Sequence, residues 1–181
     1  MSIFLFLAEL NEKISGSIAQ AFGELYEQYL PKVFRYISYR INDVSMAEDI
    51  TSSVFEKALT KFQSYSAEKA QFSTWIFSIA RNTLIDHYRV NHKNQNVSLD
   101  PSLPLPAEDM DPEEEIVQKE ECLLLKKCVS RLSPHEQEII SLKFGAEMTN
   151  RQIAKSIGLS ESNVGTILFR AVRKLRDNFN E

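Results

Sequence analysis

Residues 149–176 read TNRQIAKSIGLSESNVGTILFRAVRKLR, and the fold class turns on them. Thr149 and Gln152 stand at the spacing of a capping box, in which each side chain satisfies a backbone N–H of the other residue. A helix beginning there runs through Ile153, Ala154 and Ile157 to Gly158, the residue type that most readily adopts the left-handed conformation of a helix end. Ser160 can cap a second helix, whose apolar residues Val164, Leu168, Ala171 and Leu175 recur on one helical face. Ser162, Thr166, Arg170 and Arg173 project away from that stripe, with Lys174 and Arg176 extending the basic end. Two short helices about a glycine turn, the second polar to basic on its outer side, match a helix-turn-helix whose second helix enters a DNA major groove. An ordinary helical hairpin with a dipole-complementing last turn fits the same pattern. Local charge favours the first reading: six basic residues face one acid, Glu161, for a sum of +5.

The chain as a whole has a net charge of −4 over 181 residues, which at first argues against a nucleic-acid partner. Its distribution reverses that inference. Residues 101–121 hold eight acids (Glu108, Asp109, Asp111, Glu113, Glu114, Glu115, Glu120 and Glu121) and one base, Lys119, so this block alone carries −7 and the remainder +3. Blocks of like charge are usually solvated linkers or tails. The length suits one medium domain or two small ones with thin cores. Cys122 and Cys128, six residues apart on one expected helix, face different ways, so they neither bridge nor chelate. Free thiols without a secretory signal predict a reducing, cytoplasmic setting. The apolar run at residues 3–8 is too short to cross a membrane and reads as an N-terminal extension, with no membrane insertion expected.

From residue 19 to 42 the positions Phe22, Leu25, Tyr26, Tyr29, Val33, Phe34, Ile37 and Ile41 keep a helical period. Pro31 predicts a kink or break within it. Ser45 and Glu48 form a further capping-box pattern, opening a helix to about Phe62 that buries Ala47, Ile50, Val54, Ala58, Leu59 and Phe62. Residues 64–71 read as a polar loop. The next helix, 72–89, has a core stripe of Phe72, Ile76, Ile79, Thr83 and Leu84. Trp75, Arg81, Asn82, Asp86, Tyr88 and Arg89 are left for its other faces. Aromatics interleaved with Arg and Asn suit stacked bases and phosphates, and equally suit an ordinary packed helix.

Prolines 101, 104, 106 and 112, with no apolar period between them, mark an acidic linker. Helix resumes at Asp111 and Pro112 and is expected to bury Ile116, Leu123, Leu124 and Leu132 or their neighbours. Ser133, Pro134 and Glu136 start another helix, carrying Ile139, Ile140, Leu142 and Phe144 to a stop at Gly145. No stretch alternates like a strand. The expected fold is therefore all-α: two small helical domains joined by an acidic, Pro-containing linker, the second with the helix-turn-helix. The expected divisions are an N-terminal extension at 1–18, a first domain at 19–93, the linker at 94–111 and a second domain at 112–181. His87, His92 and His135 lack ligand-spaced partners, and neither a phosphate-cradling glycine loop nor a catalytic triad is visible. No enzymatic activity, catalytic residue, metal or cofactor is expected.

Four stretches together resemble one family: AEDITSSVFEKAL (residues 47–59), FSTWIFSIARNTLIDHYR (72–89), LSPHEQEIISLKF (132–144) and the opening stretch. In this order and spacing they are similar to the extracytoplasmic-function group of bacterial RNA polymerase sigma factors. The resemblance implies binding to core RNA polymerase, promoter recognition and assisted promoter melting. It places polymerase contacts at Glu48, Asp49, Ser52, Ser53, Phe55 and Glu56, although the family often has Gln and Glu where Ser52 and Ser53 stand.

The resemblance places minus-ten DNA contacts at Tyr65, Ser66, Lys69, Phe72, Trp75, Arg81, Asn82, Asp86 and Arg89, with the loop at 64–71 capturing a flipped base. Unstacking a base costs a few kcal/mol, which a pocket of aromatic and polar walls can offset. Minus-thirty-five DNA contacts fall at Ser162, Asn163, Thr166, Arg170, Arg173 and Lys174, the arginines and the lysine on phosphates and the small polar residues on bases. The family commonly carries basic residues near Gly165 and Ile167, which this chain lacks. The linker is expected to thread towards the polymerase cleft, and an anti-sigma factor is an expected partner. The alternative is a stand-alone helix-turn-helix regulator with a helical sensing or dimerising domain, which would bind palindromic duplex unaided.

Overall fold

The computed structural model describes residues 16–41, 43–91, 124–125 and 127–179. Expectations for the linker at 94–111, for residues 1–15 and for Ile116, Cys122 and Leu123 lie outside them. Among the described residues every regular element is helical, as the missing two-residue alternation requires.

Helix α1 spans Gly16–Ser38 and buries Phe22, Val33, Tyr36 and Ile37. Pro31 lies inside it, and of the kink or break expected there the break is absent. The reason is location: Pro31 and Glu27, whose carbonyl loses its donor, are both exposed, so water can take the orphaned acceptor. Helix α2 spans Val44–Lys61. Its cap is Asp43, not Ser45, because the Asp43 carboxylate accepts from the Met46 N–H at 2.9 Å. An Asp two residues earlier thus takes an orphan donor first.

A short 3-10 turn at Phe62–Ser64 leads into a loop closed by the Tyr65 hydroxyl, which donates to the Ala70 carbonyl at 3.0 Å. Helix α3 spans Phe72–Asn91 and buries Phe72, Ile76, Phe77, Ile79, Ala80 and Leu84. The Lys57 ammonium donates to Thr83 Oγ1 at 3.1 Å, tying α2 to α3.

In the C-terminal half, Cys128, Val129 and Leu132 are buried, while Leu124 is 39% exposed. Helix α4, Pro134–Ile140, starts from the complete Ser133/Glu136 capping box and passes into a π turn, Ser141–Gly145. The wider turn inserts an extra residue into the helical register. Phe144, within this turn, is half exposed. Helices α5, Asn150–Ile157, and α6, Glu161–Phe179, form the helix-turn-helix. The Thr149/Gln152 box is complete, Gly158 sits at φ 75°, and Ser160 Oγ accepts from the Asn163 N–H at 3.2 Å.

The two halves share one hydrophobic core. Ile139, Leu142, Ala146, Met148, Ile153, Ala154 and Val164 join the cluster formed by α1, α2 and α3. A smaller cluster of Leu132, Ile140 and Ala171 is completed by Leu168, Val172 and Leu175. Thin cores gain from merging, since each buried aliphatic side chain contributes about 1.5–3 kcal/mol and small domains bury few of them.

Candidate polymerase and nucleic-acid interfaces

On α2, the positions Glu48, Asp49, Ser52 and Glu56 are exposed and Ser53 half-buried. Spacings of three and four residues put them along one ridge, an acidic face open to a partner. Phe55 is different. It is 1% exposed, with its ring 4.7 Å from that of Tyr26 in an edge-on contact. In this structure Phe55, expected among the polymerase contacts, braces α2 from inside.

The second surface is built on α3 and the loop before it. Phe62, Tyr65, Phe72 and Trp75 form an aromatic cluster, with Tyr65 and Trp75 centroids 4.9 Å apart and Phe72 and Trp75 5.4 Å apart. Phe72 is its floor, only 7% exposed and set edge-on to Tyr29 at 5.0 Å. Phe72, expected among the minus-ten contacts, lies beneath its aromatic neighbours here. Tyr65, Ser66 and Trp75 are half-buried, and Lys69, Asn82, Asp86 and Arg89 are exposed. Asp86 lies 3.9 Å from Arg89, a surface pair of little energetic weight. Arg81 is already engaged: its Nε donates to Glu138 on α4.

The third surface is the outer side of α6. Ser162, Asn163, Thr166, Arg170 and Arg173 are exposed, while Val164 and Ala171 face inward. Thr166 Oγ1 donates to the Ser162 carbonyl at 3.0 Å, a local bond that a base edge would have to replace. Lys174 is exposed along its stem, yet its ammonium lies 2.7 Å from Glu136 Oε1. Glu136 also caps α4, accepting from Ser133 N and Oγ at 3.0 and 2.8 Å. The Lys174 hydrogen bond, aided by those from Ser133, lowers the Glu136 carboxyl to about 2. Lys174 thus ties α6 to α4.

Sequence reasoning missed two features. Phe169 is 71% exposed in the middle of α6. Its position off the Val164, Leu168, Ala171 stripe was the available signal. Glu147 adopts a left-handed backbone at φ 57° and pairs with Lys32 at 2.7 Å and with Arg35. Both cations lie on α1, more than a hundred residues away, and no local pattern announces the pairing. The described residues hold no cluster of His, Cys, Asp and Glu able to bind a metal and no helix long and apolar enough to cross a membrane.

Comparison with known proteins agrees with this arrangement. Residues 25–94 match the family model Sigma-70 region 2, and residues 128–177 match Sigma-70, region 4. The chain is 32% identical over 169 residues to the ECF RNA polymerase sigma factor BldN of Streptomyces coelicolor, covering 93% of this chain and 64% of that protein's length. It is 27% identical to the ECF RNA polymerase sigma factor SigM of Bacillus subtilis, covering 87% of this chain and 94% of that one.

Among solved structures, the sigma factor RpoE in its complex with the anti-sigma factor NepR from Bartonella quintana superposes with a TM-score of 0.70. The match covers 89% of this chain and 98% of that one at 18% identity, and so speaks to fold. Matches to both halves disfavour the stand-alone regulator, which accounts for the second half alone. With regions 2 and 4 both present in order, the chain belongs to the sigma-70 family, in its extracytoplasmic-function group of sigma factors that direct RNA polymerase to promoters.

Proposed function

We propose that the three surfaces divide the work of initiation. Residues 19–93 and 112–181 act as the two working units joined by 94–111, in a cytoplasmic protein with no reaction of its own. The ridge Glu48, Asp49, Ser52, Ser53 and Glu56 docks on core RNA polymerase, its acids complementing basic groups there and setting orientation. Tyr65, Ser66, Lys69 and Trp75, with Asn82, Asp86, Arg89 and Arg81 along α3, hold the separated minus-ten strand, ring faces stacking on bases. Helix α6 reads the minus-thirty-five duplex. Arg170 and Arg173 meet phosphates, Ser162, Asn163 and Thr166 meet base edges, and Phe169 offers an apolar contact of the kind that a thymine methyl accepts. An anti-sigma factor, such as the one bound to the Bartonella relative, is the proposed regulator.

The observation that supports this division best is the outer face of α6, where Phe169, Arg170 and Arg173 are all exposed on a helix capped into a helix-turn-helix. The test is run-off transcription with purified core polymerase on genomic fragments of the source organism, comparing wild type with Asp49→Arg. Wild type gives discrete transcripts. Asp49→Arg, with wild-type melting, gives none and fails to co-purify with the polymerase. Unchanged co-purification removes the docking assignment, and absence of any wild-type transcript removes the reading of the chain's role.

A further inference from the structure

The loop between α2 and α3 is held by bonds of its own. The Ser66 carbonyl accepts from the Lys69 N–H at 3.1 Å and from the Ala70 N–H at 3.3 Å, which folds residues 66–70 into one closed turn. Tyr65 fastens that turn from the residue before it, since its hydroxyl donates to the Ala70 carbonyl at 3.0 Å. Both ends of the turn are therefore tied to one side chain.

That side chain is itself fixed by the core. The Tyr65 ring lies near-parallel to Phe62 at 6.1 Å, meets Phe72 edge-on at 5.6 Å and stands 4.9 Å from Trp75. Phe62, in the 3-10 turn after α2, is set edge-on to the buried Phe22 of α1 at 5.1 Å. Aromatic packing thus decides where the hydroxyl sits, and the hydroxyl decides where the turn sits. Ser66 is left half-buried and Lys69 exposed on its surface.

We propose that Tyr65 is a positioning residue: its hydroxyl clasps the turn 66–70 in the form in which Ser66 and Lys69 meet an unstacked base, so that the loop is built before the strand arrives. A loop ordered in advance loses less conformational freedom on binding, and the interaction it makes with the base is correspondingly tighter. The clasp rests on the strand-holding role given to this loop above, and the experiment separates the two.

Tyr65→Phe keeps the ring and its packing and removes only the clasp. In the free full-length chain, hydrogen exchange of the Lys69 and Ala70 amides should quicken, because the turn now opens without breaking a side-chain bond. The same variant, assembled with core polymerase, is then compared with wild type for binding of forked DNA whose minus-ten strand is unpaired, taken from a promoter mapped by the run-off assay. Loss of one internal hydrogen bond weakens binding by about twofold to tenfold.

Single abasic sites scanned through the unpaired strand give the readout that a merely structural role would not move. At the position whose base the loop holds, the two proteins bind alike, because the turn has nothing there to grip; at every other position the deficit persists. Unchanged exchange in the turn, equal binding of the intact fork, or a deficit that no abasic site removes overturns the proposal. If no abasic site weakens binding by wild type, the strand-holding role itself fails and the clasp falls with it.

Discussion

Helix α3 and helix α6 are both basic, amphipathic and assigned to DNA, yet the structure treats them differently. On α6 the outer face is bare: Arg170, Arg173 and Phe169 stand in solvent. On α3 the equivalent groups are already occupied, Arg81 by Glu138 and Phe72 by Tyr29, Tyr65 and Trp75. The difference follows from position in the shared core. Helix α6 packs by its inner stripe against α4 and α5, whereas α3 lies between α2 and the C-terminal half. Charge pattern alone therefore predicts exposure well on a helix packed on one side and poorly on one packed on two.

The largest effect concerns the shared core itself. Ile153→Ala empties a fully buried site on α5 that belongs to the cluster of α1, α2 and α3. It is expected to cost about 2–5 kcal/mol. Because one core serves both halves, thermal unfolding followed by circular dichroism should move as a single transition to lower temperature. Two separated transitions, with the N-terminal one unmoved, would break the comparison at its root.

Next comes Trp75→Ala. Loss of one stacking ring costs about 1–3 kcal/mol per base. Permanganate reactivity of the minus-ten thymines should drop by roughly fivefold to a hundredfold while closed-complex formation changes little. Reactivity equal to wild type would leave α3 without its assigned strand.

A smaller contrast lies within α6. Arg173→Ala should lower the salt slope of duplex binding by about one unit, the mark of one lost phosphate contact. Lys174→Ala should lower it by less, since its ammonium is held by Glu136. Equal slopes would return Lys174 to the list of phosphate contacts.

The smallest effect is pH-dependent. The Glu136 carboxyl titrates at about 2 in the folded chain against 4.5 otherwise, so its contribution to stability is present above pH 4.5 and lost as pH falls towards 2. The melting-temperature deficit of Lys174→Met relative to wild type should be full at pH 6 and shrink below pH 4.5. A deficit independent of pH would mean that the Glu136 pair adds nothing to the brace between α4 and α6.

Much of the local structure was legible. The capping boxes at Ser133 and Thr149, the left-handed Gly158 and the inward residues Val164 and Ala171 follow from interactions within four residues, which sequence spacing encodes directly. Errors arose where two local signals competed or where a distant neighbour intervened. Asp43 took the cap expected of Ser45, and Phe55 and Phe72 are enclosed by aromatic neighbours that no local spacing announces.

The sequence by itself determined the all-α class, the order of the motifs and the chemical character of each face, since periodicity, caps and charge act over a single helix turn. Only the tertiary structure decided which charged residues are free and which are spoken for. Lys32, Arg35 and Arg81 meet Glu147 and Glu138 across the join between the halves, and ion pairs formed across so much intervening chain depend on how helices pack, which no local spacing records.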